Sequence, residues 1–333
     1  MSKAVGKVLV TGGSGYVGSH VVLELLDSGF EVVVDNLSYG LQSLIDKRAI
    51  FENCDFGNKE QISKVIDKYS IVAVVHLAAY SCIVGSKVDP IVFYQKNVAA
   101  TLNFLEVLQS KKISNFVFSS TASVFGNVLK EQIPIKENCA KNPINSYGYY
   151  KLVVENFLND IASFYNDFRF VILRYFNACG ADLKLRSGEC HKNETHIIPL
   201  AIQNALGRRK EFQIFGDDFN TFDGTCIRDY IHVSDLGRIH VNAVKYLLDG
   251  GESDSFNCGY KHGFSVKQII DAVEKTTGKN VQFKVVARRE GDPEVLIADN
   301  THLINKLKFT PQYDDLDVII KSAYEWEIKR SAD

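Results

Sequence analysis

Residues 7–20 read KVLVTGGSGYVGSH, and the order of residue types in this stretch decides the fold. Val8-Leu9-Val10 is a short β-forming run. Val17 to Leu26 carries apolar residues at helical spacing and stops at Ser28-Gly29. Between strand and helix stand Gly12, Gly13, Gly15 and Gly18, which satisfy G-x-G-x-x-G from Gly13 and G-x-x-G-x-x-G from Gly12. Residues without side chains let the backbone turn tightly and approach a pyrophosphate seated on the free N–H groups of the helix start. Glycine-rich turns are common, so the pattern gains its meaning from context: a strand before, a helix after, and Asp35 at the end of the second strand. Asp35 can accept hydrogen bonds from ribose hydroxyls and would repel a 2′-phosphate. Asn36 follows it, not an arginine. NAD is therefore expected rather than NADP. The competing reading is a structural turn with a solvated aspartate.

Outward from this stretch, strand-length and helix-length segments alternate. Glu31–Val34, Ala49–Asn53, Ile71–Leu77, Asn115–Ser119 and Arg169–Leu173 read as strands. Asn58–Tyr69, a long run from Pro90 to about Lys112, and Ser146–Tyr165 read as helices. Apolar strands alternating with helices predict an α/β fold: a doubly wound parallel sheet covered on both faces. Near Asn177 the rhythm changes. Asp182 to Glu194 is polar and reads as a loop. Helices are expected near Ile197–Leu206, Asp235–Leu248, Val266–Thr277 and Leu316–Ile328, with a strand near Val281–Val286. The reading is a dinucleotide-binding domain over 1–178 and a smaller mixed α/β domain over 179–333.

The chain has 333 residues, 46% hydrophobic and 23% charged, with a formal net charge of −2. It is long enough to fold without disulfide or metal staples. A charge near zero gives no electrostatic reason to expect nucleic acid or anionic lipid as the partner. No apolar run reaches membrane-spanning length, and the opening residues reach glycine too early for a secretion signal. The seven cysteines include no C-x-x-C pair. A reducing, cytoplasmic setting is expected. Cys190, His191 and His196 lie close in sequence; without a second cluster they read as loop chemistry, and no metal is expected.

Tyr147 and Lys151 stand at i and i+4 on one helix face. A phenol with pKa of about 10 is a poor base at neutral pH. A nearby ammonium, and the positive nicotinamide ring, favour the phenolate and would lower that value. Such a pair can act as a general base near the working pH. The spacing alone is common; it gains weight from following a dinucleotide loop and the run Ser119-Ser120-Thr121 just past a strand. The Thr121 hydroxyl can share a proton with a substrate oxygen. Asp55, after the third strand, reads equally as an adenine contact or an ordinary loop aspartate.

In chain order, TGGSGYVGSH, VVHLAA, FSSTASVFG, SYGYYK, LRYFNACGA, IRDYIHVSDL and RREGD resemble the UDP-galactose 4-epimerases, extended members of the short-chain dehydrogenase/reductase family. The resemblance runs from about Lys7 to Ile328. It implies a Rossmann domain holding NAD and a second domain holding a UDP-sugar. It also implies inversion at C4 of a UDP-hexose through a transient 4-keto sugar, in a homodimer packed through helices around 90–112 and 145–165. Tyr147 is then the base, Lys151 its support, and Thr121 the hydroxyl partner. Gly12, Gly15, Tyr16, Val17, Gly18, Asp35, Asn36, Asp55, Phe56, Leu77, Ala78, Asn97, Tyr147, Lys151 and Tyr175 would line the NAD site. Thr121, Asn177, His196, Arg228, Arg289 and Asp292 would meet the nucleotide sugar. For Arg228 the bland reading is a surface ion pair with Asp229.

Some positions depart from the family pattern. Ser81 replaces a frequent lysine near the cofactor, His196 a frequent asparagine, and Phe125 a usual tyrosine. Leu296 stands where a bulky tyrosine narrows the sugar pocket of some members, so N-acetylhexosamines are expected to fit as well. Two other activities compete. A nucleotide-sugar dehydratase or decarboxylase would need an acidic residue just after Thr121, where Ala122-Ser123-Val124 has none. A non-catalytic NAD-binding regulator would lack the tyrosine or the lysine.

Overall fold

The computed structural model describes residues 6–35, 40–80, 89–289 and 291–331. β1 (Lys7–Thr11) runs through the glycine turn into α1 (Tyr16–Asp27), and β2 (Glu31–Asp35) follows. Next come β3 (Ile50–Glu52), α2 (Lys59–Lys68) and β4 (Ile71–His76). α2 begins where Asn58 Oδ1 accepts the N–H groups of Glu60 and Gln61, both at 3.1 Å. The run expected from Pro90 is helical throughout, in three parts. These are α3 (Pro90–Tyr94), a π-helical turn over Gln95–Ala99, and α4 (Ala100–Ser110). Asp89 caps it and Pro90 occupies its first turn, where a missing N–H does no harm. β5 (Asn115–Thr121), α5 (Ser146–Phe164) and β6 (Arg169–Tyr175) follow.

Beyond β6 lie β7 (Asn177–Cys179), α6 (Ile197–Ala205), β8 (Gln213–Phe215), β9 (Ile227–Arg228) and β10 (Tyr230–His232). Then come α7 (Val233–Leu248) and β11 (Asp254–Cys258). β11 pairs in parallel with β6 and completes a seven-stranded sheet of order β11-β6-β5-β4-β1-β2-β3. The boundary expected at 178/179 is thus crossed by the chain itself, because residues 233–258 return to the first sheet and its face. The sequence reading missed β11 because Asp254-Ser255-Phe256-Asn257-Cys258 carries too few β-branched residues to stand out. The rest is β12 (Phe264–Ser265), α8 (Val266–Thr277), β13 (Lys284–Val286), β14 (Val295–Leu296), α9 (Thr301–Leu307) and α10 (Leu316–Lys329). Its short strands form small sheets, β12-β9-β14, β10-β7 and β13-β8.

Side chains on one strand alternate between two cores. Val8 and Val10 enter a core shared with α1, α6, α7 and α8, whereas Leu9 enters the one under α2, α4 and α5. All three are fully buried. Burial on both faces explains the unbroken apolar runs in sequence. Each such side chain contributes roughly 1.5–3 kcal/mol. β1 and β4 are neighbours whose connections leave in opposite directions, which opens a crevice at their carboxyl ends.

Candidate active site

The glycine turn closes on itself at the mouth of that crevice. Gly12 has φ of +72°, and a Cβ there would lie 2.8 Å from the Ala78 amide nitrogen. A Cβ on Gly18 would lie 2.1 Å from the Gly12 carbonyl oxygen. The protein's own packing excludes side chains at both positions. Gly15 differs: a Cβ there would meet only the Gly12 oxygen, at 3.4 Å. Its bareness leaves room for a group resting on the turn. Gly15 is also the N-cap of α1 and brings no side chain to the free N–H groups beyond it. The turn therefore fits a pyrophosphate.

A cleft of about 760 Å³ extends from the turn, lined among others by Gly12, Gly15, Tyr16, Asp55, Phe56, Leu77 and Ala78. Seven of the expected cofactor residues thus meet in one cavity. Val17 and Gly18 lie behind the turn in α1. The Asp35 backbone pairs with Thr11 beside it; Asn36 and Ser81 lie outside the described residues. The far wall is fixed by buried polar groups. Thr101 donates to the Asn97 carbonyl at 2.6 Å, so His76 Nε2–H donates to Thr101 Oγ1 at 3.2 Å and His76 Nδ1 accepts from Thr11 Oγ1 at 2.7 Å. Burial lowers the His76 pKa to about 3, which keeps the ring neutral for this role. Asn97, in the π-helical turn, holds the cleft-lining Tyr80 by both its N–H (2.8 Å) and its carbonyl (3.1 Å).

Tyr147 and Lys151 lie in the first turns of α5, against the end of β5. Asn145 Oδ1 caps this helix through the Gly148 N–H at 2.8 Å. Lys151 is 2% exposed; its ammonium donates to the Ser119 carbonyl at 2.5 Å and to Ser119 Oγ at 3.2 Å. It lies 5.9 Å from the centre of the Tyr147 ring. Thr121 Oγ1 donates to Ser123 Oγ at 3.2 Å and caps the short turn after β5. Tyr175 donates to His240 Nε2 at 2.5 Å, His240 Nδ1 being bound to the Leu236 carbonyl.

The electrostatics depart from the expectation that the lysine acidifies the phenol. Burial pushes Tyr147 up to about 12 and Lys151 down to about 7. The ammonium is turned to Ser119, so loss of water outweighs its attraction for a phenolate. Tyr147 nonetheless keeps 38% of its surface open to an incoming group. A cation placed against the ring would pull its pKa back down.

A group the sequence reading overlooked opposes the burial cost at Lys151. Glu155, one further turn along α5, is the charge that raises the Lys151 pKa. Its carboxylate accepts from Arg174 at 3.0 and 2.9 Å and from Ser120 Oγ at 2.5 Å. Glu155 and Arg174 are 2% and 3% exposed. This pair ties α5 to β5 and β6 directly behind Ser119 and Thr121. The i, i+4, i+8 series Tyr147, Lys151, Glu155 was visible in sequence, but an acidic residue on a helix ordinarily reads as solvated.

The expected substrate-side residues gather on the second region. Arg228 pairs with Asp292, not Asp229, and donates to the Ile227 carbonyl at 2.8 Å. Asp229 faces inward and accepts the N–H groups of Tyr260, Lys261 and Ala298 at 2.8–3.1 Å. Burial still pushes its pKa up to about 6. Neighbours along a strand point to opposite sides, which the surface-pair reading had ignored. The Arg289 guanidinium stacks 3.7 Å from the Phe215 ring centre. Asn177 joins this region through its N–H to the Asp229 carbonyl at 2.9 Å. Gly291 lies against Ile144, just before the start of α5. His196 does not join these residues. It pairs with Glu189, beside His191 and the cleft residue Tyr16.

Residues 8–259 match the model of the NAD dependent epimerase/dehydratase family. The chain is 44% identical over 323 residues to a UDP-glucose 4-epimerase of Rhizobium leguminosarum bv. trifolii, covering 97% of each. It superposes on the UDP-glucose 4-epimerase from Brucella ovis in complex with NAD with TM-score 0.92, at 41% identity and 96% and 98% coverage. The UDP-Glc/GlcNAc 4-epimerase from Campylobacter jejuni superposes with TM-score 0.83, at 37% identity and 97% and 99% coverage.

The buried lysine has a consequence for stability. An unfolded lysine has a pKa of about 10.5, and Lys151 in the fold about 7. Between these values the unfolded chain holds a proton that the folded chain lacks, so this group makes stability rise with pH from about 7 to 10. Lys151→Met should flatten that rise by up to about 1.4 kcal/mol per pH unit. Urea unfolding of both proteins at several pH values reads the difference; parallel curves would disprove the depressed pKa.

Proposed function

The chain belongs to the NAD dependent epimerase/dehydratase family, and from that premise we propose that it interconverts UDP-galactose and UDP-glucose by inverting C4, with NAD as its resident cofactor. One observation carries the chemical part: Lys151 lies 5.9 Å from the Tyr147 ring centre and donates to Ser119 of β5, the strand that ends at Thr121. NAD, when bound, would supply the hydride acceptor and donor. The chain's own groups manage the proton. Tyr147 takes the proton of the sugar 4-hydroxyl as C4 becomes a carbonyl, and gives it back when C4 is reduced on the opposite face. Thr121 hydrogen-bonds the same oxygen. Lys151, anchored on Ser119, supplies the positive charge that favours the phenolate.

Arg228 and Arg289 suit a pyrophosphate, whose oxygens match the guanidinium fork. Asn177 and Asp292 complete this side. Asp292 holds Arg228 in place until phosphate oxygens compete for it. Ala122-Ser123-Val124 offers no carboxylate behind Thr121, which disfavours elimination or decarboxylation. Leu296 packs against the cluster that includes Ala122 and Val124, just after Thr121, so its short side chain lies near the proposed reacting end. This supports turnover of UDP-N-acetylhexosamines too.

A homodimer accompanies this reading. Ile91 and Tyr94 on α3, and Tyr149 and Val153 on α5, are exposed apolar residues on the two expected interface helices. A cytoplasmic setting also belongs to it, since the six described cysteines are free thiols.

Tyr147→Phe should retain NAD and the fold while losing at least about 10²-fold in the conversion of UDP-glucose to UDP-galactose; a fully active variant would remove Tyr147 from its role. In the same assay UDP-N-acetylglucosamine should be turned over, and its complete inertness would reject the argument from Leu296. Light scattering should give twice the chain mass for the native protein and one chain mass for the Ile91→Lys/Val153→Lys variant; a wild-type monomer would exclude the dimer. Thiol titration of the denatured, unreduced protein should return all seven cysteines, and a lower count would contradict the reducing setting.

A further inference from the structure

The loop between β7 and α6 carries Glu189, His191, Glu194 and His196, and all four side chains turn toward one point. Each offers one ligand atom, and these atoms lie within 4.8 Å of one another. His191 Nδ1 is 3.0 Å from a Glu189 oxygen and 3.6 Å from a Glu194 oxygen; His196 Nδ1 is 3.6 Å from the other Glu194 oxygen and also contacts Glu189. Four ligands about 2.0–2.2 Å from a tetrahedral ion would lie roughly 3.3–3.6 Å apart. Three of the four nitrogen–oxygen separations, 3.0, 3.6 and 3.6 Å, are near those spacings, and His196 stands closer to Glu189. We propose that Glu189, His191, Glu194 and His196 bind one divalent transition-metal ion of the zinc class.

The chemistry of the donors selects the ion. Two carboxylates balance a double charge, and two imidazoles provide nitrogen donors that favour zinc-class ions over calcium or magnesium. The surroundings resemble a prepared site more than a chance meeting of surface charges. Both carboxylate side chains are less than 10% exposed, whereas the imidazoles are 41% and 52% exposed and leave a way in. The Glu189 carbonyl accepts the Trp326 indole N–H at 2.9 Å, which ties the loop to α10. The Glu194 carboxylate accepts the N–H groups of Thr195 and His196 at 2.7 and 2.8 Å, which fixes its direction. Cys190 is not among the ligands; its sulfur accepts from Arg330 at 3.5 Å. Reading Cys190, His191 and His196 alone had hidden the site, because the missing donors were the two glutamates between and beside them. The ion's place is structural. His191 and Cys190 line the dinucleotide cleft, and His191 stands edge-on to Tyr16 at 6.3 Å, so an ion here would hold that wall.

The test uses the full-length, tag-free protein stripped with chelator. Titration with cobalt(II) should saturate at one ion per chain with the visible absorption of tetrahedral cobalt, displaced by one equivalent of zinc. His196→Asn and Glu189→Gln should each weaken cobalt binding at least about tenfold. Cys190→Ser should bind as the wild type does. Zinc should raise the melting temperature of the wild type, as any ligand of the folded state must, and leave that of His191→Asn/His196→Asn unchanged. Absence of saturable binding, equal binding by the double variant, or loss of binding in Cys190→Ser would each overturn the proposal and leave a double ion pair.

Discussion

A positive charge buried at the end of a β-strand organises this molecule. Lys151 holds its ammonium against the Ser119 carbonyl with almost no access to water, and burial pushes its pKa down to about 7. The arrangement persists because it is not isolated. Glu155 supplies the opposing charge one turn away, and Arg174 and Ser120 hold Glu155 in turn. Removing one member of such a buried ion pair typically costs about 3–5 kcal/mol, since the survivor is left unpaired. Lys151, the carboxylate behind it and the sheet beneath them are therefore one polar unit. The balance is also adjustable: with the Lys151 pKa down at about 7, a charge arriving nearby decides whether the amine is ionised.

Much of this was legible in the chain. The glycine spacing, the uninterrupted apolar strands and the Tyr147/Lys151 pair depend on local geometry, and local geometry is what sequence periodicity encodes. Tyr16, Asp55, Phe56, Leu77 and Ala78 met in one cavity because each follows the carboxyl end of a parallel strand or opens the helix after it. The less legible parts are of two kinds. β11 is decided by its place beside β6, not by its residues. The Glu155–Arg174 pair, the Thr11–His76–Thr101 chain and the inward turn of Asp229 are contacts across long stretches of sequence. A buried carboxylate and a solvated one look alike until the fold supplies partners. The same holds for the sign of the Tyr147 shift: spacing reveals an ammonium nearby but not which way it points.

Residues 177–258 bear on how the two regions work together. The chain leaves the sheet after β6, forms β7 and α6 elsewhere, returns as α7 and β11, and leaves again. Stitching of this kind opposes jaw-like opening, because three separate connections would have to swing in concert. Exchange of a bulky nucleotide sugar then falls to surface loops. Any reorientation of the reacting ring then takes place between walls that these connections tie together, so the shape of the cavity bears on which sugars fit within it.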